Sequence, residues 1–367
     1  MTIGIVGAGQ LGQMLALAGY PLGLDFLFVD RTADVPAARI ATVLTGELND
    51  PKLLGELARR SAVISFDWEN VDVNALRKAA GKTPLAPPLR ALATAQDRLS
   101  EKKAFVQLSI PTTRFEAVDD REGLKRAVTR IGLPGVLKTR RFGYDGKGQQ
   151  VLRTPRDIDQ AWQTLGKVPL LYEELVPFDY EVSIIGARAR SGEIVIYPLN
   201  RNYHLDGILR LTLAPWTHKR MQRVADAHLR RVLKHFNYVG ILAIEYFVRR
   251  GRLVANEMAP RVHNSGHWTI EGAVTSQFEN HVRAIAGLPL GDPSPRGHSA
   301  MINLIGNIPT ASRFLRERGV HWHDYGKEPR PGRKLGHCTL IEQNPVRRNV
   351  RARTLLARLY PQISIKP

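Results

Sequence analysis

The sequence predicts an α/β protein of two or three domains. Strand and helix patterns alternate over the first 90 residues, which is typical of a parallel sheet covered by helices. A proline-rich linker follows at 84–88, and the pattern becomes β-rich from about residue 297. The 367 residues are enough for several hydrophobic cores. We therefore expect domains at 1–90, 91–296 and 297–367.

Composition limits the functions that the chain can have. The net charge is +19, from 53 Lys and Arg against 34 Asp and Glu. The basic residues are spread along the chain without a stripe of interleaved aromatics, so we attribute the excess to a solvated surface and an anionic-substrate site. Nucleic-acid binding remains the weaker alternative. No stretch predicts a membrane span or signal peptide, and the lone Cys338 fits a reducing compartment, so we expect a cytoplasmic protein without membrane partners.

The N-terminal segment has the pattern of a phosphate-binding turn. A short buried strand runs into the glycine-rich segment 7–12 and an apolar helix, which directs backbone N–H groups toward a phosphate. Asp30 follows the second strand, where a dinucleotide-binding fold contacts a ribose hydroxyl. These features alone favour an NAD-dependent dehydrogenase. A further strand, 62–66, leads into Asp67 and Glu69, which predict either a ligand site at the sheet edge or a helix N-cap.

A lysine and a glycine-rich loop indicate a phosphate site in the central domain. Residues 91–108 have the pattern of one amphipathic, charged helix. Lys138 lies on an apolar strand, where a lysine is unfavourable unless it meets an anion or an acid. The loop that follows contains Gly143, Gly146 and Gly148 and runs into another strand, so it is not a Walker loop. It predicts a flexible lid over phosphates, with a solvent-exposed hairpin as the alternative.

The most informative segment, 241–264, has the pattern of two apolar strands joined by a three-residue turn at 250–252. Such a turn places Glu245 opposite Glu257. Two facing carboxylates repel each other unless a proton or a cation lies between them. Carboxylate and amide oxygens suit Mg²⁺, so both glutamates, with Asn256 adjacent, predict a magnesium site. An ordinary hairpin with solvent-facing acids is the alternative.

Three polar side chains that come directly after this hairpin could hold a small anion beside the metal: Arg261, His263 and Asn264.

Together these motifs resemble the ATP-grasp superfamily, and within it the family of 5-(carboxyamino)imidazole ribonucleotide synthases of purine biosynthesis. The resemblance spans nearly the whole chain. It implies an ATP-grasp fold with an N-terminal Rossmann-like domain, a lid subdomain at about 110–175 and a small β-rich C-terminal domain. The motifs that carry it are 7–14, 66–70, 96–98, 138–149, 181–183, 204–210 and 256–268.

The resemblance implies which residues bind ATP. Arg98 and Lys138 would contact the phosphates under the lid loop 143–149, and Glu181 would receive the ribose. Glu173 and the backbone near it would receive adenine. The full implied set is Arg98, Lys138, Gly143, Tyr144, Asp145, Gly146, Lys147, Gly148, Gln149, Glu173, Glu174, Leu175, Val176, Glu181, His204, Asn256 and Glu257.

The resemblance also implies the residues nearest the chemistry. Mg²⁺ would bind Glu245 and Glu257. Asp67 is shorter than the glutamate expected at its position, so Glu69 is the better candidate for a substrate contact. The ribonucleotide phosphate would meet Arg333, Lys334 or the first glycine loop. Bicarbonate would be held by Arg261, His263 and Asn264, and the ribonucleotide would lie near Tyr144, Asp145 and Lys334.

The implied reaction uses ATP and Mg²⁺ to convert bicarbonate to carboxyphosphate, which carboxylates 5-aminoimidazole ribonucleotide. Carboxyphosphate is labile in water, so a closing lid would be needed. The resemblance further implies a homodimer. A formate-dependent glycinamide ribonucleotide transformylase is the alternative within the superfamily, and the NAD-dependent dehydrogenase is the more remote one.

Overall fold

The structure is a computed structural model that describes residues 1–143 and 147–360. Its N-terminal part contains a parallel sheet with strands β1 (Thr2–Val6), β2 (Asp25–Asp30), β3 (Thr42–Thr45) and β4 (Val63–Phe66). The spatial order is β3-β2-β1-β4. Strand β4 is buried throughout, as expected for a parallel sheet that helices cover on both faces. The predicted N-terminal parallel sheet is confirmed.

A second sheet is formed by two strands that precede the glycine-rich loop in the sequence and two that follow it. Its antiparallel strands are β5 (Phe115–Val118), β6 (Gly135–Thr139), β7 (Gln149–Leu152) and β8 (Leu170–Glu174). Their order is β5-β8-β6-β7, so β6 and β7 form the hairpin that the loop closes.

The largest sheet is antiparallel. Its strands are β9 (Tyr180–Arg188), β10 (Ile194–Ile196), β11 (Asn200–Leu205), β12 (Ile208–Ala214), β13 (Gly240–Arg249), β14 (Arg252–Ala259), β15 (His298–Ile305), β16 (Val320–Asp324) and β17 (Lys334–Glu342). The order is β14-β13-β9-β11-β12-β15-β17-β16, with β10 paired to β9. The strands beyond residue 297 therefore extend the central sheet. The domain boundaries near residues 90 and 296 stay predictions.

Helices pack against the faces of all three sheets. Within the described residues they are α1 (Gln10–Gly19), α2 (Pro51–Arg60), α3 (Val73–Ala80), α4 (Leu89–Ala95), α5 (Arg98–Gln107), α6 (Arg121–Ile131), α7 (Asp157–Leu165), α8 (Lys219–His235), α9 (Thr269–Gly272), α10 (Gln277–Ala286), α11 (Ser312–Leu315) and α12 (Pro345–Leu359). None of the helices in 1–143 and 147–360 is both long and apolar enough to cross a bilayer.

The first and the largest sheets share one hydrophobic core. Phe28 of β2 and Met14 of α1 belong to the same buried cluster as Ile185 of β9 and Phe278 of α10. A separate cluster lies between α8 and other apolar side chains of β9 and β13. Burial of this apolar surface fixes the N-terminal part against the central sheet.

The single helix predicted over 91–108 is wrong. The chain forms α4 and α5 instead, because Asp97 has an extended backbone and its carboxylate accepts a hydrogen bond from the N–H of Ser100 (3.0 Å). Asp97 also pairs with the guanidinium of Arg140 at 2.7 Å. Helix α5 therefore begins beside the end of β6, from which the lid loop starts.

Two carboxylates accept hydrogen bonds from the N–H groups of the N-terminal glycine loop. Asp67 accepts from the N–H groups of Gly9 (2.8 Å) and Gly12 (3.0 Å), and Asp30 accepts from the N–H of Ala8 (2.6 Å). Burial raises the pKa of Asp67 to about 6, against the opposing effect of the Gly12 N–H. A dinucleotide-binding fold keeps such N–H groups for pyrophosphate. This geometry does not support the dehydrogenase hypothesis.

Gly7→Ala should lower the free energy of unfolding by more than Gly23→Ala does. Both glycines have positive φ, +94° and +70°, so each substitution adds backbone strain; that strain is roughly 1–2 kcal/mol. A Cβ at Gly7 would lie 1.8 Å from Asp67 Oδ1, whereas a Cβ at Gly23 would meet nothing within 4 Å. Urea unfolding of the two variants measures the difference. Equal losses would mean that Asp67 is not held against the loop.

Candidate active site

The hairpin of β13 and β14 brings two glutamates together. Its turn has two residues, Arg250 and Gly251, whose φ values are 50° and 72°. The predicted three-residue turn is therefore wrong, because positive φ at both positions closes the hairpin in two residues. A bulge at Asn256 then shifts the register so that Glu245 pairs with Glu257. The predicted pairing is confirmed, although a different local geometry produces it.

The surroundings push the pKa values of these two carboxyl groups in opposite directions. Burial raises the pKa of Glu245 to about 7, with His204 opposing the shift and Glu257 adding to it. Burial also acts to raise the pKa of Glu257, but Arg98 and Lys138 outweigh it and hold that pKa below its ordinary value. Arg98 Nη1 lies 3.2 Å from Glu257 Oε2. A cation between the two glutamates would remove their repulsion.

Helix α5 contributes three charged side chains to the surroundings of these two glutamates. Arg98, Glu101 and Lys102 are spaced by three and four residues, so they share one face of the helix. Glu101 Oε1 accepts a hydrogen bond from the N–H of Met258 at 2.6 Å. Burial raises the pKa of Glu101 to about 8, and Glu257 acts in the same direction. This face of α5 therefore fixes the position of β14.

Glu173 is held between two lysines. Its carboxylate lies 3.1 Å from Lys102 Nζ and 2.5 Å from Lys138 Nζ, and it accepts from the Thr113 hydroxyl at 2.6 Å. The Glu173 and Lys102 side chains are each 2% exposed. Burial alone would raise the pKa of Glu173, but the two lysines hold it well below its ordinary value. Lys102 Nζ also donates to the carbonyl of Asn256 at 2.9 Å.

The lid loop begins beside the same cations. Arg98 Nη2 donates to the carbonyl of Gly143 at 3.2 Å, and the N–H of Thr139 donates to the carbonyl of Gly148 at 2.8 Å. Gln149 pairs with Lys138 across the hairpin of β6 and β7. The predicted site residues Tyr144, Asp145 and Gly146 lie outside the described residues.

His204 and Glu181 form a charged pair next to Glu245. His204 Nδ1 lies 2.8 Å from Glu181 Oε2. Burial acts to lower the pKa of His204, but the bond to Glu181 and the charge of Glu245 raise it to about 9. The imidazolium therefore places a positive charge at the edge of the carboxylate cluster.

The residues after the hairpin lie beside the same group of carboxylates. Arg261 Nε lies 3.0 Å from Glu69 Oε1, and His263 Nε2 lies 3.4 Å from Glu245 Oε1. The amide oxygen and nitrogen of Asn264 are buried and have no hydrogen-bond partner among the described residues. An unpartnered buried amide is costly, so a ligand that offers both acceptor and donor atoms would satisfy it. Bicarbonate has this chemistry.

The remaining predicted nucleotide residues lie at the end of β8. Glu174 pairs with Arg114 at 3.1 Å, and the N–H of Leu175 donates to the carbonyl of Pro134 at 3.3 Å. Val176 is buried. The Glu173 carboxylate already has three partners, so its structural task is to hold the lysines, a role that the resemblance did not include.

Lys334 and a second lysine face the cleft from the C-terminal region. The charge of Lys334 acts on both Glu245 and His263, although burial is the larger influence on each pKa. Lys327 Nζ donates to the side-chain carbonyl of Gln10. Burial lowers the pKa of Lys327 to about 8, Arg333 acts in the same direction, and Asp67 opposes the shift. Sequence reasoning missed Lys327, for which the run of basic residues around it was the available signal.

Sequence reasoning also missed Glu101 and Lys102. Both fall on a helix rich in charged residues, where either could have been solvated. A signal was present in their spacing from Arg98, since residues three and four apart share a face.

Lys102→Met should destabilise the fold by about 3 kcal/mol, because it leaves a buried carboxylate with one cation fewer. Adding Glu173→Gln to this variant should recover part of the loss, since the uncompensated charge is then removed. Lys103→Met, at the exposed neighbouring position, is the matched control. Urea unfolding measures the parent, both single variants, the double variant and the control. A double variant as unstable as the sum of both single variants would contradict the charge account.

Comparison with known proteins gives matches along nearly the whole chain. Residues 1–96 match the Ribonucleotide synthetase preATP-grasp domain, residues 103–278 the ATP-grasp domain, and residues 299–351 the Phosphoribosylaminoimidazole carboxylase C-terminal domain. The N5-carboxyaminoimidazole ribonucleotide synthase of Pseudomonas aeruginosa is 48% identical over 340 residues, which cover 93% of this chain and 94% of the relative.

Solved structures agree with these matches. The N5-carboxyaminoimidazole ribonucleotide synthetase of Thermus thermophilus has a TM-score of 0.94 and 47% identity, with 99% of each chain covered. The Aspergillus clavatus enzyme in complex with ADP and 5-aminoimidazole ribonucleotide has a TM-score of 0.89 and 26% identity, again with 99% of each chain covered. The resemblance seen in the sequence is confirmed, and the dehydrogenase hypothesis is wrong. The chain belongs to the N5-carboxyaminoimidazole ribonucleotide synthase family of ATP-grasp ligases.

Proposed function

We propose that this protein uses ATP to carboxylate 5-aminoimidazole ribonucleotide with bicarbonate, in purine biosynthesis. The products are N5-carboxyaminoimidazole ribonucleotide, ADP and phosphate. One observation carries the proposal. The guanidinium of Arg98 contacts Glu257, Glu257 pairs with Glu245, and Glu245 lies 3.4 Å from His263, which the unpartnered amide of Asn264 follows in the chain. A cation for phosphate and the proposed anion pocket of Arg261, His263 and Asn264 therefore adjoin one pair of carboxylates.

The reaction has two bond-exchange steps. A bicarbonate oxygen bonds to the γ-phosphorus of ATP, and the bond from that phosphorus to the β–γ bridging oxygen breaks, so ADP leaves with its electron pair. The carbon–oxygen bond of carboxyphosphate then breaks, and phosphate leaves with that pair. The exocyclic amine of the ribonucleotide bonds to the carbon and gives its proton to the phosphate. Phosphoryl transfer of this kind depends mainly on positioning and on neutralising charge.

Arg98 and Lys138 hold the phosphates of ATP in this proposal. Both are cations held by carboxylates, Arg98 by Glu257 and Lys138 by the buried Glu173, so little side-chain entropy remains to be lost on binding. The rest of the nucleotide contacts are assigned to the lid loop 143–149, residues 173–176, Glu181, His204 and Asn256.

Mg²⁺ fits the two facing glutamates. When bound, it would neutralise charge on the phosphates and on Glu245 and Glu257. Residues 1–143 and 147–360 contain no group of three or more His, Cys, Asp or Glu that could hold a metal ion. Two carboxylates and the Asn256 amide supply fewer ligands than Mg²⁺ takes, so ATP oxygens and water would complete its coordination.

Arg261, His263 and Asn264 hold bicarbonate in this proposal. Arg261 supplies the positive charge and is kept in place by Glu69. Burial raises the pKa of Glu69, which the charge of Arg261 opposes. The unpartnered amide of Asn264 supports this assignment.

The ribonucleotide phosphate is assigned to a basic group near the N-terminal glycine loop. Lys327 contacts Gln10 of that loop, and the charges of Arg333, Lys334 and Arg330 act on Lys327. Tyr144, Asp145 and Lys334 would lie near the aminoimidazole. A homodimer and a cytoplasmic location complete the proposal. The homodimer rests on the resemblance alone, and sedimentation equilibrium would test it; the location rests on the lone Cys338, which fits a reducing compartment.

ADP formation in the presence of Mg²⁺ and ATP tests the proposed function. Bicarbonate and 5-aminoimidazole ribonucleotide are each added or withheld, and the carboxylated product is assayed. We expect substantial turnover only when the ribonucleotide is present, with product formed in proportion to ADP. Formate replaces bicarbonate as the control for formate-dependent ligases. Turnover with formate but not with bicarbonate would overturn the proposal.

Glu257→Gln should lower kcat by more than about a hundredfold, because metal-assisted charge neutralisation is worth several kcal/mol. The free energy of unfolding should change by less than about 1 kcal/mol, since the substitution also removes repulsion with Glu245. Glu116→Gln, which breaks an exposed pair with Arg130 (3.4 Å), is the matched control. Steady-state kinetics and urea unfolding supply both measurements. Near-normal kcat in Glu257→Gln would remove the metal assignment.

A further inference from the structure

The loop that carries His263 is tied to the face of the largest sheet by side-chain hydrogen bonds. His263 Nδ1 lies 2.8 Å from the hydroxyl of Ser265, and this hydroxyl lies 2.8 Å from that of Ser183 on β9. The amide nitrogen of Asn202 on β11 donates to Ser183 Oγ at 2.9 Å. The hydroxyl of Thr212 on β12 donates to Asn202 Oδ1 at 3.0 Å. These bonds form one continuous chain from β12 to the imidazole.

Because these side chains are buried, each hydroxyl hydrogen must be donated to another member of the hydrogen-bond network. Ser183, Thr212 and Ser265 have no exposed surface, and Asn202 is 3% exposed. A hydroxyl can donate only one hydrogen, and an amide nitrogen can only donate. Ser183 Oγ accepts from the amide nitrogens of Asn202 (2.9 Å) and Asn200 (3.5 Å), which occupy both of its lone pairs, so its own hydrogen is directed to Ser265. Ser265 must then direct its hydrogen onward, to Nδ1 of His263.

The backbone gives an independent indication of the same direction. The N–H of Ser265 also points at His263 Nδ1, at 3.3 Å. A backbone N–H cannot accept, so Nδ1 must carry a lone pair. The hydrogen of the neutral imidazole is therefore on Nε2, the atom that lies 3.4 Å from Glu245 Oε1.

We propose that Ser183, Asn202, Thr212 and Ser265 are positioning residues that hold His263 as the Nε2–H tautomer. His263 thereby presents a hydrogen-bond donor to the anion pocket, and it does not act there as a base. This inference rests on the proposed function, since the anion that would receive the N–H is bicarbonate or the carboxyphosphate formed from it. A donor at Nε2 adds to the charge of Arg261 in orienting the bicarbonate oxygen toward phosphorus.

The backbone of His263 is held separately from its ring. Its N–H donates to Gln277 Oε1 at 3.0 Å, and its carbonyl accepts from Gln277 Nε2 at 2.7 Å. Removal of the Ser265 hydroxyl should therefore release the imidazole while the loop keeps its path.

Ser265→Ala tests the inference kinetically. We expect the KM for bicarbonate to rise by on the order of tenfold, the effect of losing one buried hydrogen bond, with the KM for ATP unchanged within about twofold. Ser299→Ala is the matched control, because Ser299 is equally buried on β15 and its hydroxyl has no hydrogen-bond partner among the described residues. Thr212→Val should show a smaller rise, and Thr212→Ser should restore parental values.

The tautomer itself is read by nitrogen-15 NMR of protein labelled at histidine, with the His263 signals assigned through their loss in His263→Gln. We expect a lone-pair nitrogen at Nδ1 and a protonated Nε2 in the parent. In Ser265→Ala we expect an increased share of the Nδ1–H tautomer, because only the longer bond from the backbone N–H, at 3.3 Å, remains at Nδ1. A protonated Nδ1 in the parent, or an unchanged KM for bicarbonate in Ser265→Ala, would overturn the inference. A parent protein without bicarbonate-dependent ADP formation would instead overturn the proposed function, and the NMR spectra would still decide the tautomer.

Discussion

Burial of charges of both signs, each matched by a partner, is the constraint on which the site depends. Glu173 is nearly inaccessible and lies between Lys102 and Lys138. An uncompensated charge inside a protein costs several kcal/mol, so none of the three could stay buried without the others. They also connect the sheet under the lid, through β8, with α5 and with the carbonyl of Asn256 on β14. The ion pairs of Lys138 and Lys102 with Glu173 therefore also set the lid loop against the hairpin that carries Glu245 and Glu257.

Local patterns were sufficient to predict the main elements of the fold and the pairing of Glu245 with Glu257. Apolar runs and turn residues located the parallel sheet and the hairpin. Lys138 stood out because a lysine on an apolar strand is unfavourable unless it meets an anion or an acid. The break at Asp97 and the length of the turn at Gly251 were not predicted, because each depends on the backbone angles of one or two residues. The bulge at Asn256 shifts the alternation of buried residues in β14 by one position, but residues 253–255 and 258–259 are unbroken apolar runs, so periodicity could not reveal it.

Residues whose partners are distant in sequence could not be predicted in the same way. Lys102 has the pattern of a solvated helix residue, and only the fold brings Glu173 to it. Asp67 was expected to face a ligand or to cap a helix, whereas it occupies the N–H groups of a glycine loop from another strand end. Ser183 and Ser265 are small polar residues among many, and their role comes from hydrogen bonds between separate strands and loops.

Transfer of oxygen from bicarbonate to phosphate tests the central claim most directly. In this account a bicarbonate oxygen bonds to the γ-phosphorus and stays with it when carboxyphosphate breaks down. The reaction would be run with oxygen-18 bicarbonate, over times shorter than its exchange with water, and the phosphate analysed by mass spectrometry. The account predicts a single labelled oxygen in each phosphate released with carboxylated product. Unlabelled phosphate at the same yield of product would contradict it, because another nucleophile would then have attacked ATP.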